Sequence, residues 1–283
     1  MSRNKDVFLT CLDYTVSNKK FDLLYNSKFE MLETFPKPEP EELPFYYESE
    51  DYISHTDSKK SLIEKLYQIV KKYALHKKLM LINSFNTDGK NILDVGCGTG
   101  DFLFTCKNNN WDVVGVEPND KAQKNAKNKL GENTKIYSNI DELDNKFDVI
   151  TLWHVLEHVP NLDEYISKLK TLLKPNGVLV IAVPNFKSFD ANHYKQFWAA
   201  FDVPRHLWHF SKKSIQLLFE KQKMDVVKIL PMKFDSFYVS LLSEKYKTGN
   251  NNFFKAFCLG LLSNIKASTS KEYSSLIYII KNV

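Results

Sequence analysis

The chain has 283 residues, enough for one large domain with additions or two modest ones, and either arrangement buries a core. Apolar residues make up 43% and charged residues 26%, with only 9 glycines and 10 prolines, which excludes disorder over most of the length. The net charge of +5 comes from lysines scattered on helical faces, as in 71–78 and 121–130, rather than from a basic tract, so no nucleic-acid partner is expected.

The first ten residues, MSRNKDVFLT, lack the apolar region of a signal peptide, and no apolar run reaches the roughly 18 residues needed to span a bilayer; a cytoplasmic protein without a membrane span is expected. Cys11, Cys97, Cys106 and Cys258 are far apart and form no CxxC pair, so neither a disulfide framework nor a zinc ribbon is encoded. Residues 1–57 mix short apolar pieces with a turn region, FPKPEPEELPFYY (35–47), whose four prolines forbid a continuous helix. This part reads as a small irregular N-terminal subdomain.

Residues 58–283 read as one domain. An amphipathic helix leads in, with Leu62, Ile63, Leu66, Ile69, Val70, Tyr73 and Ala74 at helical spacing. Short apolar runs then alternate with helical segments: 91–95, 112–117, 134–138, 147–153, 177–183 and 225–230, with a last run at 274–280. Nearly continuous apolar strands of this kind suit a mostly parallel, doubly wound α/β sheet covered on both faces. Between them, 161–177 is the clearest helix, with Asn161 and Glu164 as a capping pair and Pro175 to Gly177 as its end. A helical insertion is expected at about 235–266; its apolar stretch 253–265 reads as a buried or capping helix, and Cys106 and Cys258 read as core.

The stretch NILDVGCGTGDF (91–102) places Gly96, Gly98 and Gly100 between a strand and a helix, where glycine permits positive φ and close approach of a ligand to the backbone. Glu117 ends the next strand, nineteen residues after Gly98, and a carboxylate there can accept from both hydroxyls of a ribose. Asp94 and Asp101 flank the loop and would repel a diphosphate, which argues against an NAD-type oxidoreductase and for a ligand carrying positive charge.

On these residues the chain resembles the class I S-adenosylmethionine-dependent methyltransferases, in the branch near the quinone-biosynthesis O-methyltransferases. LDVGCGTG is similar to their first motif, and the order of the later segments over about 88–231 agrees. The resemblance implies a Rossmann-like, seven-stranded, mostly parallel sheet with the 274–280 strand in an antiparallel hairpin. It further implies S-adenosylmethionine as cofactor, with Gly96, Cys97, Gly98 and Gly100 against its methionine part, Asp94 and Asp101 near its ammonium, and Glu117 on the ribose beside Pro118 at the adenine. Asn139 and Ile140 would border the adenine edge, and Trp153 and His154 the transferable methyl. Cys97 also reads as a small filler. Tyr52 and His55 belong to a segment that in the family folds over the cofactor as a lid.

The acceptor side is less determined. PNFKSFDANHYKQFWAAFDVPRHLWHFS (184–211) follows the fifth strand, is long for a crossover, and should hang over the site. Ser211 is a good N-cap for the helix at 212–222, which makes Phe210 and Ser211 structural. His206 and His209 are open to three roles: metal ligation, an acceptor-side function, or packing. His206, next to Arg205, is the preferred base or orienting group, with His209 and His154 as further catalytic candidates. No metal is expected at either histidine pair, because HVLEH sets Glu157 beside the wrong histidine for a zinc helix and neither pair has a third ligand nearby in sequence apart from Asp202. The expected function is methylation of a small-molecule acceptor, at oxygen, by a monomer or homodimer; the alternatives are a cofactor-binding sensor or partner subunit without methyl transfer, and an NAD-type oxidoreductase.

Overall fold

The computed structural model describes residues 6–39, 41–47 and 62–283. Strands β1 (Val7–Leu12), β2 (Lys20–Asn26) and β3 (Met31–Phe35) form an antiparallel meander, so the N-terminal region is regular where the sequence suggested an irregular piece. The turns explain the difference. Asp13 accepts from the backbone N–H of Thr15, Val16 and Ser17 and closes the first turn, while Asn26 accepts from the Lys28 N–H in the second. The prolines fall after β3, and α1 (Leu43–Tyr46) takes Pro44 in its first turn, where no donor is lost.

The leading helix α2 (Leu62–Asn83) is followed by β4 (Asn91–Val95), α3 (Asp101–Lys107), β5 (Asp112–Val116), α4 (Asp120–Leu130), β6 (Ile136–Tyr137), β7 (Phe147–Trp153), α5 (Leu162–Leu172) and β8 (Leu173–Pro184). Next come α6 (Phe189–Tyr194), β9 (Trp208–His209), α7 (Lys212–Lys221), β10 (Met224–Pro231), α8 (Asp235–Thr248), α9 (Phe253–Ser270) and β11 (Ser275–Asn282). Seven strands form one sheet in the order β10-β11-β8-β7-β4-β5-β6; β11 runs antiparallel to both its neighbours and the remaining pairings are parallel. The strands expected from the apolar runs are all present. Large apolar cores cover both faces, one containing Leu93, Ile150 and Ile181, the other Ile92, Val149 and Val180, which is the two-sided burial that such runs require.

Two local expectations fail. Helix α5 stops at Leu172 because β8 begins there, and Asn161 at its N-cap makes no side-chain cap bond. The insertion is helical as expected, but α9 is not buried by its large residues: Ala256, Gly260, Ser263 and Ala267 form its buried seam, while Phe253, Phe254, Phe257 and Ile265 are exposed, and Cys258 is exposed with them. The seam is small because α8 passes so close that a Cβ on Gly260 would lie 2.9 Å from the Phe237 Cα. Cys106 is core, as expected. Among the described residues, no helix is long and apolar enough to cross a membrane.

The segment between β8 and α7 holds a third core with the meander. Trp198, Phe201, Val203 and Tyr194 pack with Cys11, Phe21, Leu23 and Leu32, and the indole of Trp198 donates to the buried carboxylate of Asp190, which also accepts from Ser263 and Ser274. Strand β9 completes the meander as its fourth strand, pairing His209 with Leu32 and Trp208 with Glu33. Beside it, the buried guanidinium of Arg205 forks onto Asp202 at 3.0 and 2.6 Å and donates to Asp13, Thr15 and the Tyr46 carbonyl. Removing this charge strands two carboxylates, a loss of roughly 3–5 kcal/mol for a buried pair. Arg205→Ala should therefore lower the unfolding free energy by about that much in denaturant titrations, and Arg205→Lys, which keeps the charge without the fork, should recover only part of it.

Candidate functional site

The glycine loop leaves β4 with Gly96, Gly98 and Gly100 all at positive φ, 70°, 54° and 78°. Two of these have an identifiable cause. A Cβ on Gly96 would meet the Val155 side chain at 2.5 Å, and one on Gly100 would press on Ala126 at 3.0 Å, so the loop is clamped between β7 and α4. At Gly98 a Cβ would meet nothing within 4 Å; this is the open face of the loop, available to a ligand. The N–H groups of Gly96 and Cys97 donate to the Val116 carbonyl at 2.7 and 3.0 Å, and that of Gly98 donates to Glu117 Oε2 at 2.8 Å. Glu117 also accepts from Asn119 N–H through Oε1, which fixes the carboxylate while leaving each oxygen with accepting capacity.

Asp94 is buried at the end of β4 and accepts from the Thr151 hydroxyl at 2.6 Å. Burial pushes its carboxyl up to about 7, against the Thr151 hydrogen bond and the charge of Lys78. Lys78 of α2 was not singled out in the sequence, yet its ammonium lies 4.1 Å from the Trp153 ring centre and close enough to Asp94 and Asp235 to feel both. Its own pKa is lowered by burial despite those carboxylates. Trp153 also packs edge-on against Phe102, and its indole N–H is buried with no partner among the described residues.

The other expected cofactor residues divide. Asp101 opens α3, but its carboxylate is occupied by Lys71 at 2.9 Å and Lys129 at 2.5 Å; burial would raise its pKa, and these lysines hold it below the ordinary value. Pro118 is exposed beyond Glu117. Asn139 caps a 3-10 turn, Ile140–Glu142, in which Ile140 is core. Cys97 is buried, with its sulfur 2.7 Å from the position a Cβ would take on Gly115, as a filler between loop and β5. Tyr52 and His55 lie outside the described residues.

The segment after β7 turns sharply, with His154 at φ 58°. Its Nδ1 is 3.3 Å from Glu157 Oε1 and its Nε2 3.0 Å from Asp235 Oδ2. Burial alone would lower the imidazole, but these two carboxylates raise it to about 10. His154 is thus held as an imidazolium with both N–H groups donated, which leaves no lone pair to take a proton. Asp235, at the start of the insertion, is the second partner that the sequence did not single out.

The two histidines of 203–211 have different surroundings. His209, in β9, places Nε2 3.0 Å from Thr34 Oγ1, and that hydroxyl donates to the His206 carbonyl, so His209 must be the donor. Burial pulls its pKa well below the ordinary value. Its geometry is that of a neutral packing histidine. His206 points its Nδ1 at the Ala200 carbonyl, 2.9 Å away, so Nδ1 carries the donated hydrogen. Its ring stands edge-on to His158 at 4.6 Å between centres, and a Leu207 N–H to Glu157 carbonyl bond of 2.8 Å ties the two segments together. Arg205, which was expected to act on its neighbour His206, spends its donors on Asp202, Asp13, Thr15 and Tyr46 instead. His158 directs Nδ1 at the Arg205 carbonyl and the Tyr47 hydroxyl, and burial with the neighbouring His206 lowers it to about 4. Glu157, His158 and His206 thereby form one cluster, with Glu157 and His206 buried and His158 partly so.

Residues 64–229 match a family described as a methyltransferase domain. Curated relatives include ubiquinone biosynthesis O-methyltransferases of Pasteurella multocida, 35% identical over 115 residues, and of Actinobacillus pleuropneumoniae, 38% identical over 109 residues. Each alignment covers 34% of this chain and 47% of the relative, so the chain spans about half the length of the curated relatives it matches. Among solved structures, magnesium protoporphyrin IX methyltransferase from Synechocystis with bound SAH superposes with TM-score 0.51 at 15% identity, over 81% of this chain and 91% of that one. A mycolic acid cyclopropane synthase, also complexed with SAH, gives 0.52 at 17% identity over 74% and 84%. These likenesses agree with the sheet order, the glycine loop at the end of β4 and the acidic residue at the end of β5, and the chain belongs to the methyltransferase domain family, with the class I S-adenosylmethionine-dependent methyltransferase fold.

Proposed function

We propose that this methyltransferase moves the methyl group of S-adenosylmethionine to a hydroxyl of a small-molecule acceptor. The observation that carries the reading is the juxtaposition, across one turn after β7, of a loop suited to a cationic cofactor and a buried cluster of proton-accepting groups. On the cofactor side, the open backbone at Gly98 and the carboxylates of Asp94 and Glu117 suit the methionine part, its ammonium and the ribose diol; Trp153, with its unpartnered N–H, borders the same space. Asp101 is a weaker candidate, because Lys71 and Lys129 already neutralise it. Asn139 and Ile140 would act through the backbone of the turn they build.

Displacement at the sulfonium methyl needs chiefly alignment, which can contribute about 7–11 kcal/mol. A hydroxyl acceptor must in addition lose its proton, and a positioned base adds roughly 10²–10⁴ in rate. Nε2 of His206 or of His158 would take this proton, since Nδ1 of each is directed at a backbone carbonyl, whereas His154 orients the turn and His209 supports β9. The naming of the curated relatives as O-methyltransferases favours oxygen as the acceptor atom. The proposed acceptor is a small molecule in the cytoplasm, met by a monomer or homodimer; the scatter of the lysines along the sequence, rather than in one tract, supports a small molecule over a nucleic acid. Incubation of cell extract with the protein and isotope-labelled S-adenosylmethionine, read by mass spectrometry, should yield a labelled O-methyl product; a product labelled on nitrogen or carbon, or none, would reject the acceptor assignment. His206→Ala should reduce kcat by about 10²–10⁴ while leaving cofactor affinity within a few-fold, as measured by calorimetry.

Asp94 gives a signed pH dependence. Its carboxyl stands near 3.8 unfolded and is raised to about 7 in the folded, ligand-free protein, so its ionisation costs stability, and that cost grows as pH rises from about 4 to about 7 and is constant above. A cationic cofactor selects the ionised form. Affinity for S-adenosylmethionine should therefore rise about tenfold per unit of pH below 7 and level off above it, with proton release on binding at pH 6 seen by calorimetry in two buffers. Asp94→Asn should flatten this profile, weaken binding by about 10–100-fold, and raise the thermal midpoint of the ligand-free protein at pH 8.

A further inference from the structure

The two histidine pairs read separately in the sequence, 154/158 and 206/209, each lack a third ligand. The fold takes one histidine from each pair and adds a carboxylate. Glu157, His158 and His206 offer one donor atom apiece, all within 4.8 Å of one another. From this arrangement we infer a binding site for a divalent first-row transition ion, of the His₂Glu type.

Three observations support it. First, the carboxylate is prepared: Glu157 is buried, its Oε1 faces His154, and its Oε2 is buried with no hydrogen-bond partner among the described residues. A buried carboxylate oxygen left without a donor costs free energy unless something electropositive meets it. Second, both imidazoles are oriented as metal ligands are, with the outer nitrogen donating to a backbone carbonyl: Nδ1 of His206 to Ala200 at 2.9 Å and Nδ1 of His158 to Arg205 at 3.1 Å. With Nδ1 of each ring directed at a backbone carbonyl, Nε2 is the nitrogen that would ligate, and a second-nitrogen hydrogen bond of this kind is the outer-shell arrangement that raises ligand basicity. Third, Asp202 Oδ2 lies 4.0 Å from His206 Nε2, anchored by Arg205, as an outer carboxylate on the same side. Ion binding would draw the three donors together from 4.8 Å toward about 3–3.5 Å, the separation set by bonds of about 2.0–2.2 Å, and His158 and His206 sit on segments already joined by the Leu207–Glu157 backbone bond.

Three protein ligands leave a coordination position open. An acceptor hydroxyl entering it would bind as the alkoxide, releasing its proton to solvent in place of transfer to His158 or His206, whose lone pairs the ion then holds; the O–CH₃ bond would form as the S–CH₃ bond breaks, with the sulfide keeping the electron pair. This consequence rests on the O-methylation reading, whereas ion binding does not.

The full-length chain, stripped with a chelator and shown by calorimetry to keep S-adenosylmethionine binding, is titrated with Zn²⁺ against a chromophoric competitor and with Co²⁺ by visible absorption. One ion per chain is expected, with d–d bands of a low-coordinate His-containing site. His158→Gln, His206→Gln and Glu157→Gln should each weaken Zn²⁺ binding by more than the roughly 10–100-fold that follows loss of an outer partner. His193→Gln, at an exposed histidine outside the cluster, should bind as the unmodified chain does. Absence of a stoichiometric ion in the unmodified chain overturns the site whatever the acceptor, and so does equal loss in the His193 variant. Stoichiometric binding with methyl transfer indifferent to chelation overturns the activation step alone.

Discussion

The buried guanidinium of Arg205 is the constraint on which the acceptor side depends. It is almost fully withdrawn from water, so its charge is tolerable only because Asp202 and Asp13 both meet it. One of these carboxylates belongs to its own loop and the other to the first turn of the N-terminal meander. The ion pair therefore does two things at once: it closes 202–205 into a rigid bend, and it fastens the meander to that bend. Strand β9, three residues further on, then has a partner strand to pair with, and the carbonyl of Arg205 itself is left facing the His158 ring. The position of His206 against His158 is a consequence of where this charge is neutralised.

The two halves of the site differ in how they are specified. On the cofactor side the geometry is local: a strand, three glycines and an acidic residue at the end of the neighbouring strand. The clamps on Gly96 and Gly100 are side chains that the parallel sheet brings together in any chain with this strand order. That half was legible in the sequence, as were all seven strands of the main sheet, because burial on both faces forces long apolar runs that few other structures share. The N-terminal meander was not legible for the converse reason. Its strands bury one face against a loop and leave the other to solvent, so charged residues such as Lys20 and Asp22 interrupt the apolar signal, and its turns are built by Asp13 and Asn26 rather than by glycine or proline.

The acceptor half could not be read because its members are far apart in sequence and each pair of histidines looked self-contained. HVLEH and RHLWH both have ligand-like spacings, and in both the spacing is misleading. In the first, Glu157 binds His154 from one oxygen and faces His158 with the other side of its carboxylate environment; in the second, one histidine turns to Thr34 and the other to Ala200. The residues that separate these roles, Thr34 and Asp235, come from the meander and the insertion, and neither carries a motif. The α9 helix misled in another way. Its apolar content suggested burial, yet close approach to α8 selects small residues for the contact and turns the large ones outward; composition reports how apolar a helix is, not which side of it is covered.

Electrostatics binds the two halves into one device. The turn after β7 sets a single imidazolium between two carboxylates, Glu157 of the same turn and Asp235 of the insertion, and Lys78 stands near enough to feel both Asp235 and Asp94. In the ligand-free protein the His154 imidazolium stands between Glu157 and Asp235, and Asp94, with its carboxyl raised to about 7, is about half-ionised near neutral pH. A cofactor that arrives with a sulfonium and an ammonium adds positive charge to this balance, and the group best placed to absorb it by releasing a proton is Asp94, because its carboxyl is already near its midpoint. His154 joins Glu157 of the histidine cluster to Asp235 of the insertion through its two ring nitrogens, so a change of charge at one carboxylate is felt at the other.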